Sequence, residues 1–119
     1  MRQPSRRPEQ VAGTIRQVIA DALAREVRDP RVGFVTVTGV LVTNDLSHAR
    51  VMVRVPGDDG VKAKAMEGLQ SAAGFLRTRA ARVLTTRTVP ELHFELDQGV
   101  EHAARIEELL ESIRREERD

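Results

Sequence analysis

The spacing of apolar residues alternates between two periods along this chain, which restricts it to a mixed fold of helices and strands. Val11, Ile15, Val18, Ile19, Ala22 and Leu23 recur at three- and four-residue steps, which makes one buried stripe on a helix from near Pro8 to Val27. Pro8 suits a first helical turn. Asp29-Pro30 stops the helix, because a residue before proline avoids helical angles. From Phe34 to Val42 the period falls to two, with Thr36 and Thr38 alternating against Val35 and Val37, as in a strand. Thr43 to Ser47 reads as a turn. Ala49, Val51, Val53 and Val55 then alternate with Arg50, Met52 and Arg54 in a second strand. Its apolar face should cover the helices, leaving Arg50 and Arg54 on the other face or at its edge.

Pro56 to Gly60 breaks the strand, and the helical period returns from about Val61 to Leu84, with Met66, Leu69, Ala73, Leu76, Ala80 and Val83 as the stripe. One straight helix of that span would be about 36 Å long at 1.5 Å per residue, which overhangs strands of this length. A bend is expected. Gly74 is its first candidate and Gly68 its second, because glycine weakens a helix interior by about 1 kcal/mol relative to alanine. Leu92, Phe94 and Leu96 alternate with His93, Glu95 and Asp97 in a third strand. From Val100 onward, Ile106, Leu109, Leu110 and Ile113 form a narrow apolar stripe amid dense charge.

The order is α-β-β-α-kink-α-β with an added C-terminal helix. It predicts an α+β fold of the type II KH order: a three-stranded sheet, helices packed on one face and the other face exposed. Periodicity does not fix the strand pairing. The expected division is a flexible basic arm over 1–7, a KH-like domain over 8–98 and an amphipathic acidic helix and tail over 99–119. At 119 residues one domain is the natural size, and such a domain can bury a useful core without staples.

Charge is unevenly placed although the net charge is only +1. Residues 1–31 hold seven Arg against four acids (+3), and residues 32–61 two Arg against three Asp (−1). Residues 62–87 hold six basic side chains against Glu67 alone (+5), and residues 88–119 four Arg against ten acids (−6). Either a polyanion-facing surface with a separate acidic element or simply solvated helix faces would look like this. Tyr and Trp are absent and Phe occurs three times, which argues against a sheet of aromatic platforms for bases. Nucleic-acid contact should rest on Arg, Lys and backbone groups.

Several function classes are excluded. Without cysteine there are no disulfides, thiolate zinc sites or cysteine nucleophiles. No apolar run reaches the roughly 18 residues of a membrane span, and the basic N-terminus is not followed by a signal-peptide core. We expect a cytoplasmic, monomeric protein without cofactors. Asp45, Ser47 and His48 resemble parts of a triad but stand too close in sequence, and no nucleophile elbow is present. His48, His93 and His102 lack short metal-ligand spacing, so no metal site is expected. Glu95 and Asp97 read as solvated strand carboxylates. Neither a P-loop nor a dinucleotide fingerprint occurs. A non-enzymatic protein is expected.

Four blocks in order carry a family resemblance. They are Ile15-Arg16 with Asp29-Pro30-Arg31-Val32; Val35 to Val40 followed by Asp45-Leu46 and Ala49-Arg50-Val51; Ala72-Ala73-Gly74 with Phe75-Leu76-Arg77; and Arg87 to Phe94 with Asp97. Over roughly Arg6 to Leu110 the chain resembles the ribosome-binding factor A family. Two departures are mild: Thr43 stands where the family has Ser, and Met52 where an aromatic or aliphatic residue is usual. The resemblance implies a KH-like fold in which an Ala-x-Gly kink, here Ala72-Ala73-Gly74, replaces the Gly-x-x-Gly loop. It also implies association with the immature small (30S) ribosomal subunit, late maturation with 5′-end processing of 16S rRNA, and growth in the cold.

A small-residue helix junction lets an RNA backbone approach closely, and a helix N-terminus there would add free N–H donors. Close helix–sheet packing would equally call for small residues at Ala72, Ala73 and Gly74. Lys62, Lys64, Arg77, Arg79, Arg82 and Arg87 surround that corner and could neutralise phosphates. Phe75 could pack in the core, the favoured reading, or touch a base. Arg50 and Arg54 form a second candidate patch or solvated strand positions, and Arg7 and Arg16 are further candidates. The acidic C-terminal segment would face away from phosphate, contact a basic ribosomal protein or merely solubilise the chain. The competing function is a protein-interaction adaptor that acts through that helix.

Overall fold

The computed structural model describes residues 7–98 and 110–115. Helix α1 spans Pro8–Arg25. Its stripe of Val11, Ile15, Ile19, Ala22 and Leu23 is buried as the spacing requires. The chain then closes a 3-10 turn over Pro30–Val32, where the Asp29 side chain accepts from the Arg31 backbone N–H at 2.9 Å. This turn was not foreseen. It drives Val32 into the core, where it is 2% exposed.

Strands β1 (Thr36–Val42), β2 (His48–Arg54) and β3 (Glu91–Leu96) form one sheet in the order β1-β2-β3. β1 pairs antiparallel with β2, and β3 pairs parallel with it. The apolar alternation in β1 changes phase part-way: Val35 and Val37 are odd-numbered, whereas Val40 and Val42 are even-numbered. A β-bulge accounts for this. Val37 pairs with Val53 and Gly39 with Met52, so Thr38 is the extra residue, and its hydroxyl donates to the Met52 carbonyl at 3.3 Å. An extra residue reverses which face the following side chains take, which puts Val40 opposite the buried Val51.

The turn between β1 and β2 is closed by one carboxylate. Asp45 Oδ1 accepts from the Ser47 hydroxyl at 2.7 Å, the Thr43 hydroxyl at 2.7 Å and the Ser47 backbone N–H at 3.1 Å. Leu46 takes a left-handed φ of 62°, a strained choice for a branched side chain, while its side chain packs against the core.

Helix α2 spans Asp59–Val83. Asp58 caps it by accepting from the Val61 N–H at 2.9 Å. The expected division into two helices at Ala72-Ala73-Gly74 does not occur: α2 is one element through those residues. Leu69 and Leu76 explain the continuity. They stand seven residues apart, on the same stripe of an unbroken helix, and both are fully buried. The length is accommodated because α2 packs on α1 and the 3-10 turn as well as on β3. The buried stripe also differs from the expected one. Ala65, Gly68, Leu69, Leu76 and Ala80 are buried, Ala73 is half-buried, and Val83 is 55% exposed.

The helices cover one face of the sheet. Ala49, Val51 and Val53 of β2 are fully buried there, and among the described residues no polar side chain is buried with them. The expected basic arm and acidic helix fall mostly outside the described residues. Arg7 is the extended N-cap of α1, and residues 110–115 are helical.

The two mid-helix glycines of α2 have opposite surroundings. A β-carbon on Gly68 would lie 2.8 Å from Val32 Cγ1 and 3.2 Å from Arg31 Cβ. One on Gly74 would meet nothing within 4 Å. Gly68→Val should therefore lower stability by about 2 kcal/mol through overpacking, and Gly74→Ala should raise it by about 1 kcal/mol, both read from urea unfolding. The bonds from Ser47 and Thr43 also hold the Asp45 carboxyl down to about 2 from an ordinary 3.8. Because the folded state favours the ionised form, this contribution is complete above the ordinary value and is lost as pH falls through about 2. An NMR titration should give that low midpoint for Asp45, and Ser47→Ala should move it upward.

Candidate nucleic-acid interface

An α-helix turns about 100° per residue, so position along α2 sets which cations share a face with Gly74. Ser71, Arg77 and Thr78 fall within about 60° of Gly74 and Lys64 and Arg82 within about 80°. All five are exposed, as is Gly74 itself. Ala72 and Ala73 are half-buried beside them. Lys64 and Arg82 are separated along the axis by about 27 Å at 1.5 Å per residue, with Gly74 between them. The result is a smooth helix face with a bare patch of backbone near its middle and cations to either side. Glu67 lies on the same face and faces Arg31, 3.8 Å away.

Among the described residues, packing therefore does not account for Gly74: the space above it is open, and Gly68 is the position where close approach of α2 to its neighbours needs a glycine. The unbroken helix also removes one expected feature. Free N–H donors at a second helix N-terminus are not available around Gly74, because the backbone there is engaged within α2. The Thr78 hydroxyl additionally donates to the Gly74 carbonyl at 2.9 Å.

The remaining basic candidates divide by their partners. Arg79 is half-buried and bridges α2 to the end of α1 through Glu26. Its guanidinium also lies 5.2 Å from the centre of the Phe75 ring, a cation–π arrangement. Phe75 itself is not a core residue as favoured from sequence; it is 42% exposed beneath Arg79. Arg77 donates to the Val89 carbonyl at 2.9 Å and so anchors the α2–β3 connection while staying exposed. Lys62 turns toward the packed side and is half-buried. Arg87 is exposed in the connection.

On the helix-free face of the sheet, Arg50 donates to Glu95 at 2.5 Å. The hydrogen bond and charge of that carboxylate raise the Arg50 pKa, so Arg50 stays charged but paired. Arg54 is exposed at the end of β2. Arg16 and Arg7 are exposed on α1 and at its start. The sheet face thus offers a phosphate less uncommitted charge than α2 does.

The triad-like residues do not form a relay. Asp45 bonds Ser47 directly, while the His48 ring faces His93, with Nδ1 3.0 Å from His93 Nε2. Glu91 lies 3.8 Å from the same His48 nitrogen. Sequence spacing hid this trio, because only the parallel register, with His48 opposite Glu91 and Arg50 opposite His93, brings β2 and β3 side chains together. Phe34, 81% exposed ahead of β1, is a further surface aromatic that the strand pattern concealed.

The model of one family, described as ribosome-binding factor A, matches residues 7–110. The chain belongs to the ribosome-binding factor A family. A ribosome-binding factor A from Desulforamulus reducens is 42% identical over 113 residues, covering 95% of this chain and 94% of the relative. The crystal structure of ribosome-binding factor A from Thermus thermophilus shares the fold at a TM-score of 0.68 and 23% identity, covering 77% of this chain and 98% of that one. A homology model of the Thermus thermophilus factor, fitted into a cryo-EM map of its complex with the 30S subunit, aligns at a TM-score of 0.58 and 25% identity, covering 72% of this chain and 90% of that one. The KH-like α+β architecture expected from the order of elements is therefore the architecture of this family.

Proposed function

We propose that this protein binds the immature small ribosomal subunit through the exposed face of α2 and assists late maturation and 5′-end processing of its 16S rRNA. It acts as a monomer in the cytoplasm and catalyses no reaction. The observation that carries the reading is Gly74. A glycine in the interior of a 25-residue helix costs about 1 kcal/mol relative to alanine, and among the described residues no neighbour uses the space it leaves. An external backbone that approaches closely would use it. Lys64, Arg77 and Arg82 beside it fit a polyanion, and Arg87, Arg16 and Arg7 extend the positive surface. The related factor fitted into a 30S complex supports the same partner.

In this reading Ala72, Ala73 and Gly74 let phosphate or ribose lie against the helix, while the cations neutralise the backbone. Arg79 and Lys62 shape and support the surface. The sheet-face residues Arg50 and Arg54 make secondary contacts. A second reading, an adaptor acting through the C-terminal helix, draws on Leu110 and Ile113, which are 46% and 42% exposed on one helical segment. Nuclease treatment separates the two, since association by protein contact survives removal of accessible rRNA.

Gly74→Ile should fold normally yet weaken binding to purified small subunits about tenfold or more, and Lys64→Ala with Arg82→Ala should flatten the salt dependence. Each phosphate contact contributes about −0.7 to −0.9 to the slope of log affinity against log salt. Filter binding over a salt series measures both effects. Unchanged affinity in Gly74→Ile, or association insensitive to salt, would remove the α2 face from the account.

A further inference from the structure

We propose that His48, His93 and Glu91 form a binding site for a divalent transition-metal ion, Zn²⁺ foremost, on the helix-free face of the sheet. Each residue offers one ligand atom, and these atoms lie within 4.8 Å of one another. His48 Nδ1 and His93 Nε2 are 3.0 Å apart, with their ring centroids at 5.1 Å. The Glu91 carboxylate is 3.8 Å from His48 Nδ1. A tetrahedral Zn²⁺ about 2.0–2.1 Å from each imidazole nitrogen sets those nitrogens about 3.3 Å apart. A small opening of the ring pair therefore admits the ion.

Hydrogen bonds tie down the strand ends that carry the ligands. The His48 backbone N–H donates to the Thr43 hydroxyl at 3.1 Å, and the Glu91 N–H donates to the Ser47 carbonyl at 2.9 Å. Both histidines stand on strands, which hold a site more closely than loops do. The neighbouring charges are already committed: Arg50 is held by Glu95, and Asp45 by Thr43 and Ser47. Two imidazoles and one carboxylate suit a borderline ion. They suit Mg²⁺ poorly, because it prefers an all-oxygen shell. All three residues are exposed, so the fourth position faces solvent. A bound ion joins β2 to β3 across residues 45 apart in sequence and should raise the melting temperature.

The test is calorimetric titration of the full chain with ZnCl₂ in millimolar MgCl₂, with Co²⁺ absorption as a check on tetrahedral geometry. One ion should bind per chain, with a Zn²⁺-dependent rise in melting temperature. His48→Ala and His93→Ala should each weaken binding by at least about tenfold, Glu91→Gln should weaken it less, and His102→Ala should leave it unchanged. Imidazole NMR of the unaltered chain needs no variant: Zn²⁺ should shift His48 and His93 and leave His102 in place. No saturable binding, binding that survives loss of both strand histidines, or an NMR shift confined to His102 would overturn the site.

Discussion

The parallel pairing of β3 with β2 dictates the rest of this fold. A parallel neighbour cannot be reached by a tight turn and needs a long crossover, and α2 is that crossover. Its 25 residues must run back over the same sheet face that α1 already covers. It can lie close because its inner stripe mixes small residues, Ala65, Gly68 and Ala80, with the two deep leucines, Leu69 and Leu76. The 3-10 turn completes the fit by placing Val32 against Gly68. Once the inner stripe is fixed, helical geometry alone determines that Gly74 and its cationic flanks face outward.

The two glycines of α2 illustrate how one residue type serves two ends. Gly68 is shaped by the inside of the protein, since a single carbon there collides with Val32. Among the described residues, none comes within 4 Å of a β-carbon placed on Gly74. Continuity of the helix places Lys64 and Arg82 on the same flank, one on either side of the glycine along the axis. The RNA-facing reading thus depends on an unbroken helix with an open patch, not on a helix corner with free N–H donors.

Much of this was legible in the sequence, because the period of apolar residues is a direct consequence of which face is buried. α1, the three strands and the cationic stretch over 62–87 follow from it. The bulge at Thr38 was written in the phase change between Val37 and Val40, although alternation alone was read as an unbroken strand. Other features depend on contacts between distant residues. Nothing local shows that Glu26 holds Arg79, that Glu95 occupies Arg50 or that His48 meets His93, because strand register sets those meetings. The expected division of α2 into two helices failed for a related reason. Glycine propensity argued for a break at Gly74, and α2 is helical through it with both Leu69 and Leu76 buried.

The central claim is that the outward face of α2, not the open face of the sheet, lies against ribosomal RNA. The chain contains no cysteine, so a single introduced thiol carries a photocrosslinker to one known place. The direct test labels Ser71→Cys, on the Gly74 face of α2, and Leu41→Cys, on a residue 58% exposed on the helix-free side of the sheet, and irradiates each with small subunits. The account requires cross-links to 16S rRNA from position 71 and few from position 41. Strong cross-linking from 41 with none from 71 would contradict it.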